Sequence, residues 1–298
     1  MITLDRTRCV NGAATPSELA ELRLSAARAR RNVLRMMAAT PAGHVGGALS
    51  AIDLVVAIYG HAMKLGQANH TAPDRDRFLL SAGHKALAQY AVLAHFGIIA
   101  EEVLDTYGQT DSALPGHPDM STLPGIEGNT GALGHGLPIG CGMALGARAS
   151  GLASRVFVLL GDGELVEGSN WEAAAIAAHH RLDNLAAIID VNGLQISGPT
   201  AQVLNMESIA DKFAAFGWAT CENDGNDMAD ICAALDRLPL QPSRPSVVIA
   251  HTVKAKGISA IEGTVGSHYW KPNSEQLAAA ITELDEHVQR EESLVSAS

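Results

Sequence analysis

Short apolar runs bounded by turn residues alternate along this chain with longer segments whose apolar positions recur every three or four residues. The clearest unit lies between 155 and 198. Its two apolar runs, 155–160 and 185–190, are rich in branched residues and end in Gly161-Asp162-Gly163 and Val191-Asn192. Each has the pattern of a strand buried on both faces of a parallel sheet. The segment 164–181 between them predicts a helix, so the unit is strand–helix–strand, with both C-terminal strand ends at one edge. Further strands are predicted at 78–81, 218–222 and 245–253. Helices are predicted at 16–40, 50–63, 85–95, 100–107, 134–149, 206–216, 227–237 and 273–290. The first of them stops at Thr40-Pro41, since proline disfavours a helical residue before it.

This alternation predicts an α/β fold: one doubly wound parallel sheet of about five strands with helices on both faces. It fills a single domain over 1–298, with loosely held ends at about 1–15 and 291–298. No internal repeat or low-complexity tract interrupts it. The connection 108–132 is rich in Gly, Pro, Thr and Ser, and a loop of that length inside a compact domain is usually functional.

Composition narrows the function. Hydrophobic residues make up 47% of the 298 residues, ample for a full core. The formal net charge of −11 argues against nucleic acid as a partner. A phosphorylated ligand remains compatible with it, because helix ends and local His or Lys can offset a global acidic balance. No apolar run looks long enough to span a bilayer, and the N-terminus lacks a signal-peptide layout, so no membrane partner and a cytoplasmic location are expected. The cysteines, Cys9, Cys141, Cys221 and Cys232, are far apart without CxxC spacing, which predicts reduced thiols and no zinc site.

The candidate chemistry lies at the strand ends. Asp162 offers a carboxylate and Asn192 an amide oxygen, both hard ligands suited to magnesium or calcium. Gly161 and Gly163 allow a sharp turn, and backbone N–H groups of the Gly163-Glu164 turn, near a helix start, suit an anion. An anion and a hard cation at one strand edge describe a metal-bound diphosphate, at the edge where open α/β sheets bind ligands. Four of the twelve histidines, His44, His84, His117 and His268, stand in glycine- or proline-marked loops at predicted element ends, as a shared site requires.

Gly-Asp-Gly followed about thirty residues later by a strand-end Asn resembles the cofactor fingerprint of thiamine-diphosphate enzymes. The forms Gly161-Asp-Gly-Glu-Leu-Val-Glu-Gly168 and Asp190-Val-Asn-Gly-Leu-Gln-Ile196 resemble transketolase, and the resemblance runs from about 21 to 271. It implies thiamine diphosphate and Mg2+ (or Ca2+) as cofactors. The metal ligands implied are Asp162, Asn192 and the backbone carbonyl of Leu194. His84, Gly131, Leu133, Asp162, Gly163, Glu164, Asn192 and His268 are implied on the cofactor. His44, His117 and His268 are implied on the sugar, with His44 and His268 moving protons and His117 holding the C1 hydroxyl. Glu167 matches a carboxylate at a subunit contact near the cofactor. Two departures stand out. Val45 follows His44 where proline is usual, and Tyr269-Trp270 follow His268 where Gly-Lys or Gly-Ala is usual.

The resemblance ends after the diphosphate-binding domain. It therefore implies the N-terminal subunit of a split transketolase, moving a two-carbon ketol unit from a ketose phosphate to an aldose. The implied partner is a C-terminal subunit with the pyrimidine-binding domain, in a heterotetramer, and the substrates are sugar phosphates. Two alternatives remain: an α-type subunit of another thiamine-diphosphate enzyme, and a transketolase subunit dedicated to an unusual sugar such as apulose 4-phosphate.

Overall fold

The computed structural model describes residues 13–64 and 70–297. Five strands, β1 (Arg77–Leu80), β2 (Val156–Gly161), β3 (Leu185–Val191), β4 (Ala219–Asp224) and β5 (Ser246–His251), form one sheet in the order β1-β2-β3-β5-β4. All four pairings are parallel, so every C-terminal strand end lies at the same edge. The central runs carry the period of two that a doubly covered sheet needs. Phe157, Leu159, Ile188 and Val248 enter the core on one face. Val158, Leu160, Ile189 and Val247 enter the core on the other.

The helices are α1 (Pro16–Ala39), α2 (Val45–Ala57), α3 (Ala86–His95), α4 (Gly136–Ala149), α5 (Gly168–His179), α6 (Thr200–Val203), α7 (Ile209–Ala215), α8 (Met228–Asp236) and α9 (Ser274–Ala297). Residues of α1, α2, α3 and α8 build the first core. Those of α4, α5 and α7 build the second. Thr15 caps α1, accepting from Glu18 N while Glu18 reaches back to Thr15 N, so the last residue of the segment expected to be loose is held. Residues 1–12 of that expected segment, Cys9 included, lie outside the described residues.

Three expectations are corrected. The helix expected at 50–63 begins at Val45 and takes in Gly46 and Gly47. Tight packing offsets their poor propensity: a Cβ on Gly46 would stand 2.6 Å from Ser267 Oγ, and one on Gly47 would stand 3.3 Å from the Lys85 side chain. The expected loose tail at 291–298 is helical through Ala297. Leu284 of α9 is fully buried, and Glu291 and Glu292 face Arg23 and Arg28 of α1 at 3.7 and 2.8 Å. Finally, the 18 residues Val45–Ala62 are long and apolar enough to cross a bilayer, contrary to the sequence expectation, but 89% of that stretch is buried inside the protein. It is the central helix of the first core.

Candidate functional site

The C-terminal ends of β2 and β3 lie in register, with Gly161 opposite Asp190. That register sets Asp162 beside the 191–194 turn. Its carboxylate accepts from Gly163 N at 2.8 Å and from Gly193 N at 2.7 Å, tying the two strand ends together. Asn192 Oδ1 accepts from Leu194 N, and the Leu194 carbonyl accepts from Lys254 Nζ at 2.9 Å. Asp190, fully buried at the same edge, accepts from Lys85 Nζ at 2.5 Å, Ser50 Oγ at 2.6 Å and Thr252 Oγ1. Two carboxylates and two ammonium groups thus share one strand edge.

A cavity of about 370 Å³ opens there. Its wall joins the strand-end residues Gly161, Asp162, Gly163, Glu164, Asn192 and Leu194 to four histidines. His44 is the residue before α2, His84 follows β1, His117 comes from the long connection, and His268 lies in a 3-10 turn, Val265–Tyr269. Their rings meet. His44 stands 5.2 Å from His84, 5.9 Å from His117 and 5.3 Å from His268, centroid to centroid. Burial, more than any neighbour, pushes His44 and His268 down to about 4 and His84 to about 2. Neutral imidazoles are therefore the resting state at neutral pH. Lys254 also donates from Nζ to His268 Nδ1 at 3.1 Å. An ammonium has only protons to give, so His268 carries its own proton on Nε2.

The remaining expected residues are placed as follows. Gly131 and Leu133 line the cavity, and a Cβ on Gly131 would stand 3.5 Å from the His117 ring. The Glu164 carboxylate turns into the protein, accepting from Ser81 Oγ, Gly134 N and Gly161 N. It braces the 131–134 loop, and burial first of all raises its pKa. Glu167 stands outside the cavity wall, against Gly134, whose φ of +79° and 2.5 Å approach to the Glu167 Cβ leave no room for a side chain. Lys85, Asp190, Lys254 and Tyr269 belong to this site although the sequence singled out none of them as a site residue. The signal available was charge at a strand end for Asp190. Lys254 and Tyr269 lie between the strand predicted at 245–253 and the helix predicted from 273, where no element was expected. A more open depression of about 450 Å³ at the ends of β4 and β5, lined by Asn223, Asp224 and His251 among others, gathers no comparable set.

Do these residues fit a metal-bound diphosphate? Among the described residues, no three His, Cys, Asp or Glu side chains form a metal cluster. The expected set contains only one such side chain, Asp162, beside an amide and a carbonyl, so a cation there must draw further oxygens from its ligand. Burial first, then the neighbouring Asp190, pushes Asp162 up to about 6, against Lys85 and the N–H groups of Gly193 and Gly163. A buried carboxylate held in that state is stabilised by an added cation. The Leu194 carbonyl accepts from Lys254 Nζ, so a bound cation would have to share that oxygen or displace the ammonium. The donor set fits a hard cation carrying a diphosphate.

Comparison with known proteins identifies the diphosphate-binding family. Residues 23–285 match the family described as transketolase, thiamine diphosphate binding domain. The chain is 41% identical over 269 residues to one subunit of an apulose-4-phosphate transketolase from Phocaeicola vulgatus, covering 90% of this chain and 95% of that one. It is 40% identical over 243 residues to a 6-deoxy-6-sulfo-D-fructose transketolase subunit of a Clostridium species, covering 82% and 88%. Its fold superposes on the crystal structure of transketolase from Campylobacter jejuni with a TM-score of 0.81 at 29% identity. That match covers 92% of this chain but 46% of the other, so the chain spans less than half the length of that solved transketolase.

Proposed function

This chain belongs to the transketolase family as a subunit of the N-terminal, thiamine-diphosphate-binding type, and from that premise we propose its activity, metal and partner. The activity is transfer of a two-carbon ketol unit from a ketose phosphate to an aldose acceptor. The observation that carries it is the single cavity in which the strand-end oxygens of Asp162, Asn192 and Leu194 meet four histidine rings. An edge for a metal-bound diphosphate and a set of hydrogen-bonding rings for a sugar are both needed for this reaction, and both line one wall.

Asp162, Asn192 and the Leu194 carbonyl would hold the metal, magnesium in this reading, at the diphosphate end of the cofactor. His84, Gly131, Leu133 and Gly163 close around the cofactor. Thiamine diphosphate, when bound, would supply the nucleophilic, electron-accepting carbon that this reaction needs. The protein's own part is to orient the sugar and to move protons at its hydroxyls. His268, with its proton fixed on Nε2 by Lys254, is a donor. His44, neutral and without a second partner, accepts the proton of the hydroxyl on the breaking bond. His117, exposed at the mouth, holds the C1 hydroxyl. A neutral imidazole has one N–H to donate and one ring nitrogen to accept with, so it suits a sugar hydroxyl in either sense.

A second polypeptide is supported by the names of two relatives, each called one subunit of a transketolase. We assign to it the pyrimidine-binding domain, in a cytoplasmic heterotetramer of two copies of each chain. Glu167 and the helix α4 face that partner. Gly142 and Gly146 of α4 have open space where side chains would stand. A substrate other than the common pentose phosphates is a second reading, favoured by Tyr269 beside His44 and by the names of both relatives. The test is to combine this chain with its partner and supply xylulose 5-phosphate, fructose 6-phosphate or apulose 4-phosphate with an aldose phosphate acceptor. Two-carbon transfer from any of them supports the activity, and the preferred donor separates the two readings. No transfer from any ketose phosphate refutes it.

A further inference from the structure

The 3-10 turn Val265–Tyr269 is clamped on both sides of Tyr269. Ser267 is fully buried, with its backbone pressed on Gly46 of α2 so closely that a Cβ there would stand 2.8 Å from the Ser267 carbonyl oxygen. His268 is buried and held by Lys254. Trp270 on the other side is packed into the first core. Between these anchors Tyr269 is the residue that leaves the protein surface, 49% exposed. Its ring nonetheless turns back over the site, 4.6 Å from the His44 ring and 4.8 Å from the His268 ring. Its hydroxyl lies 3.0 Å from His44 Nε2. An exposed phenol held on a clamped turn and aimed at one imidazole nitrogen is poorly explained as packing.

His44 has no other hydrogen-bond partner for its side chain among the described residues. The groups facing it are the imidazoles of His84, His117 and His268 and the Tyr269 phenol. None of the three imidazoles is hydrogen-bonded to it. The tautomer of a neutral histidine is set by the hydrogen bond its other nitrogen makes. Among the described residues Tyr269 is the one side chain placed to make that bond with His44.

We propose that Tyr269 is a positioning residue: its phenol oxygen accepts from His44 Nε2–H, fixing the tautomer in which Nδ1 carries the lone pair that takes the substrate's proton. Tyr269 is half-exposed and its phenol oxygen has lone pairs with which to accept. Lys254 does the converse at His268, occupying Nδ1 and leaving Nε2–H as a donor. Two neighbouring histidines of the same charge state are thereby made unlike, one an acceptor and one a donor. The inference rests on the transketolase reading for the identity of the substrate, but the tautomer claim rests on the 3.0 Å contact and the direction proposed for it, which the spectrum below decides.

The test uses the full chain labelled with 15N-histidine, with His44 signals assigned by their loss in His44→Gln. In the wild type, the His44 spectrum at pH 7 should show a single tautomer with the proton on Nε2. In Tyr269→Phe that signal should give way to a mixture of tautomers, while the His84 and His117 signals stay in place and report that the fold is intact. In the complex with its partner, Tyr269→Phe should lower kcat about tenfold, the scale of one hydrogen bond, and leave thiamine diphosphate affinity unchanged. Tyr269→Leu should lose no more than Tyr269→Phe, since the hydroxyl and not the ring does this work. An unchanged His44 tautomer in Tyr269→Phe overturns the proposal whatever the rate, and an unchanged kcat overturns it whatever the spectrum. A wild-type complex that transfers no two-carbon unit instead refutes the functional reading, and the spectrum then still decides the tautomer claim.

Discussion

Replacing Asp162 with asparagine should act in opposite directions on the empty chain and on its complex with cofactor. The carboxylate is held at about 6 against an ordinary value of 3.8, chiefly by burial. At 1.36 kcal/mol for each unit, ionised Asp162 costs the empty fold about 3 kcal/mol. The sign is that of a carboxylate raised on folding. Below about pH 4 the group is neutral in both states and costs nothing. The penalty grows as pH rises to about 6 and is complete above it. Asparagine keeps the shape and removes this charge. It also gives up one acceptor, since one of the N–H groups of Gly163 and Gly193 would face the new amide nitrogen, a loss of about 1 kcal/mol. The empty variant should therefore be about 1–2 kcal/mol more stable at pH 7, a rise of a few degrees in Tm, and its stability should lack the wild type's decline between pH 4 and 6. The assembled complex should lose metal-dependent binding of thiamine diphosphate, measured by calorimetry with and without magnesium. Thermal melts of the empty chain at pH 4, 5, 6 and 7 complete the assay. A variant less stable than wild type at pH 7 refutes the charge argument. A variant that binds thiamine diphosphate with wild-type affinity and magnesium dependence refutes the assignment of Asp162.

Two further predictions concern the sugar and the cofactor loop. His44→Ala and His268→Ala should each lower kcat of the complex by roughly 10²–10⁴-fold, the usual contribution of a general acid or base, with little change in thiamine diphosphate affinity by calorimetry. A loss of affinity as large as the loss of turnover would move both residues from the sugar to the cofactor. Gly134→Ala should destabilise the chain by more than about 2 kcal/mol in urea unfolding, because the position needs a positive φ and abuts Glu167. An alanine variant as stable as wild type would show that this loop is free to move away.

The parts of this protein that were legible in the sequence are those governed by local pattern. The two central strands announce themselves because each apolar side chain of 156–160 and 185–189 has a core to enter on one face or the other. Asp162 and Asn192 were legible because parallel strands joined by one helix must end at the same edge. What escaped depends on contacts between distant segments. Gly46 and Gly47 look like loop residues until Ser267 and Lys85 are seen pressed against them. The polar stretch after 290 looks loose until Arg23 and Arg28 are placed beside Glu291 and Glu292. The histidines could be suspected of convergence from their settings, but His44 and His268 are 224 positions apart. Their ring-to-ring contact, and the different partners Tyr269 and Lys254 give them, exist only in the folded chain.

The central claim is that this chain supplies the diphosphate edge and the histidines, and that a second polypeptide completes the site. The most direct measurement is a titration of the purified partner into this chain at saturating magnesium and thiamine diphosphate, following two-carbon transfer. The account predicts no transfer without partner and a linear rise that saturates at one partner per chain. Full activity of this chain alone, or a rise that fails to saturate near equal amounts, would contradict it.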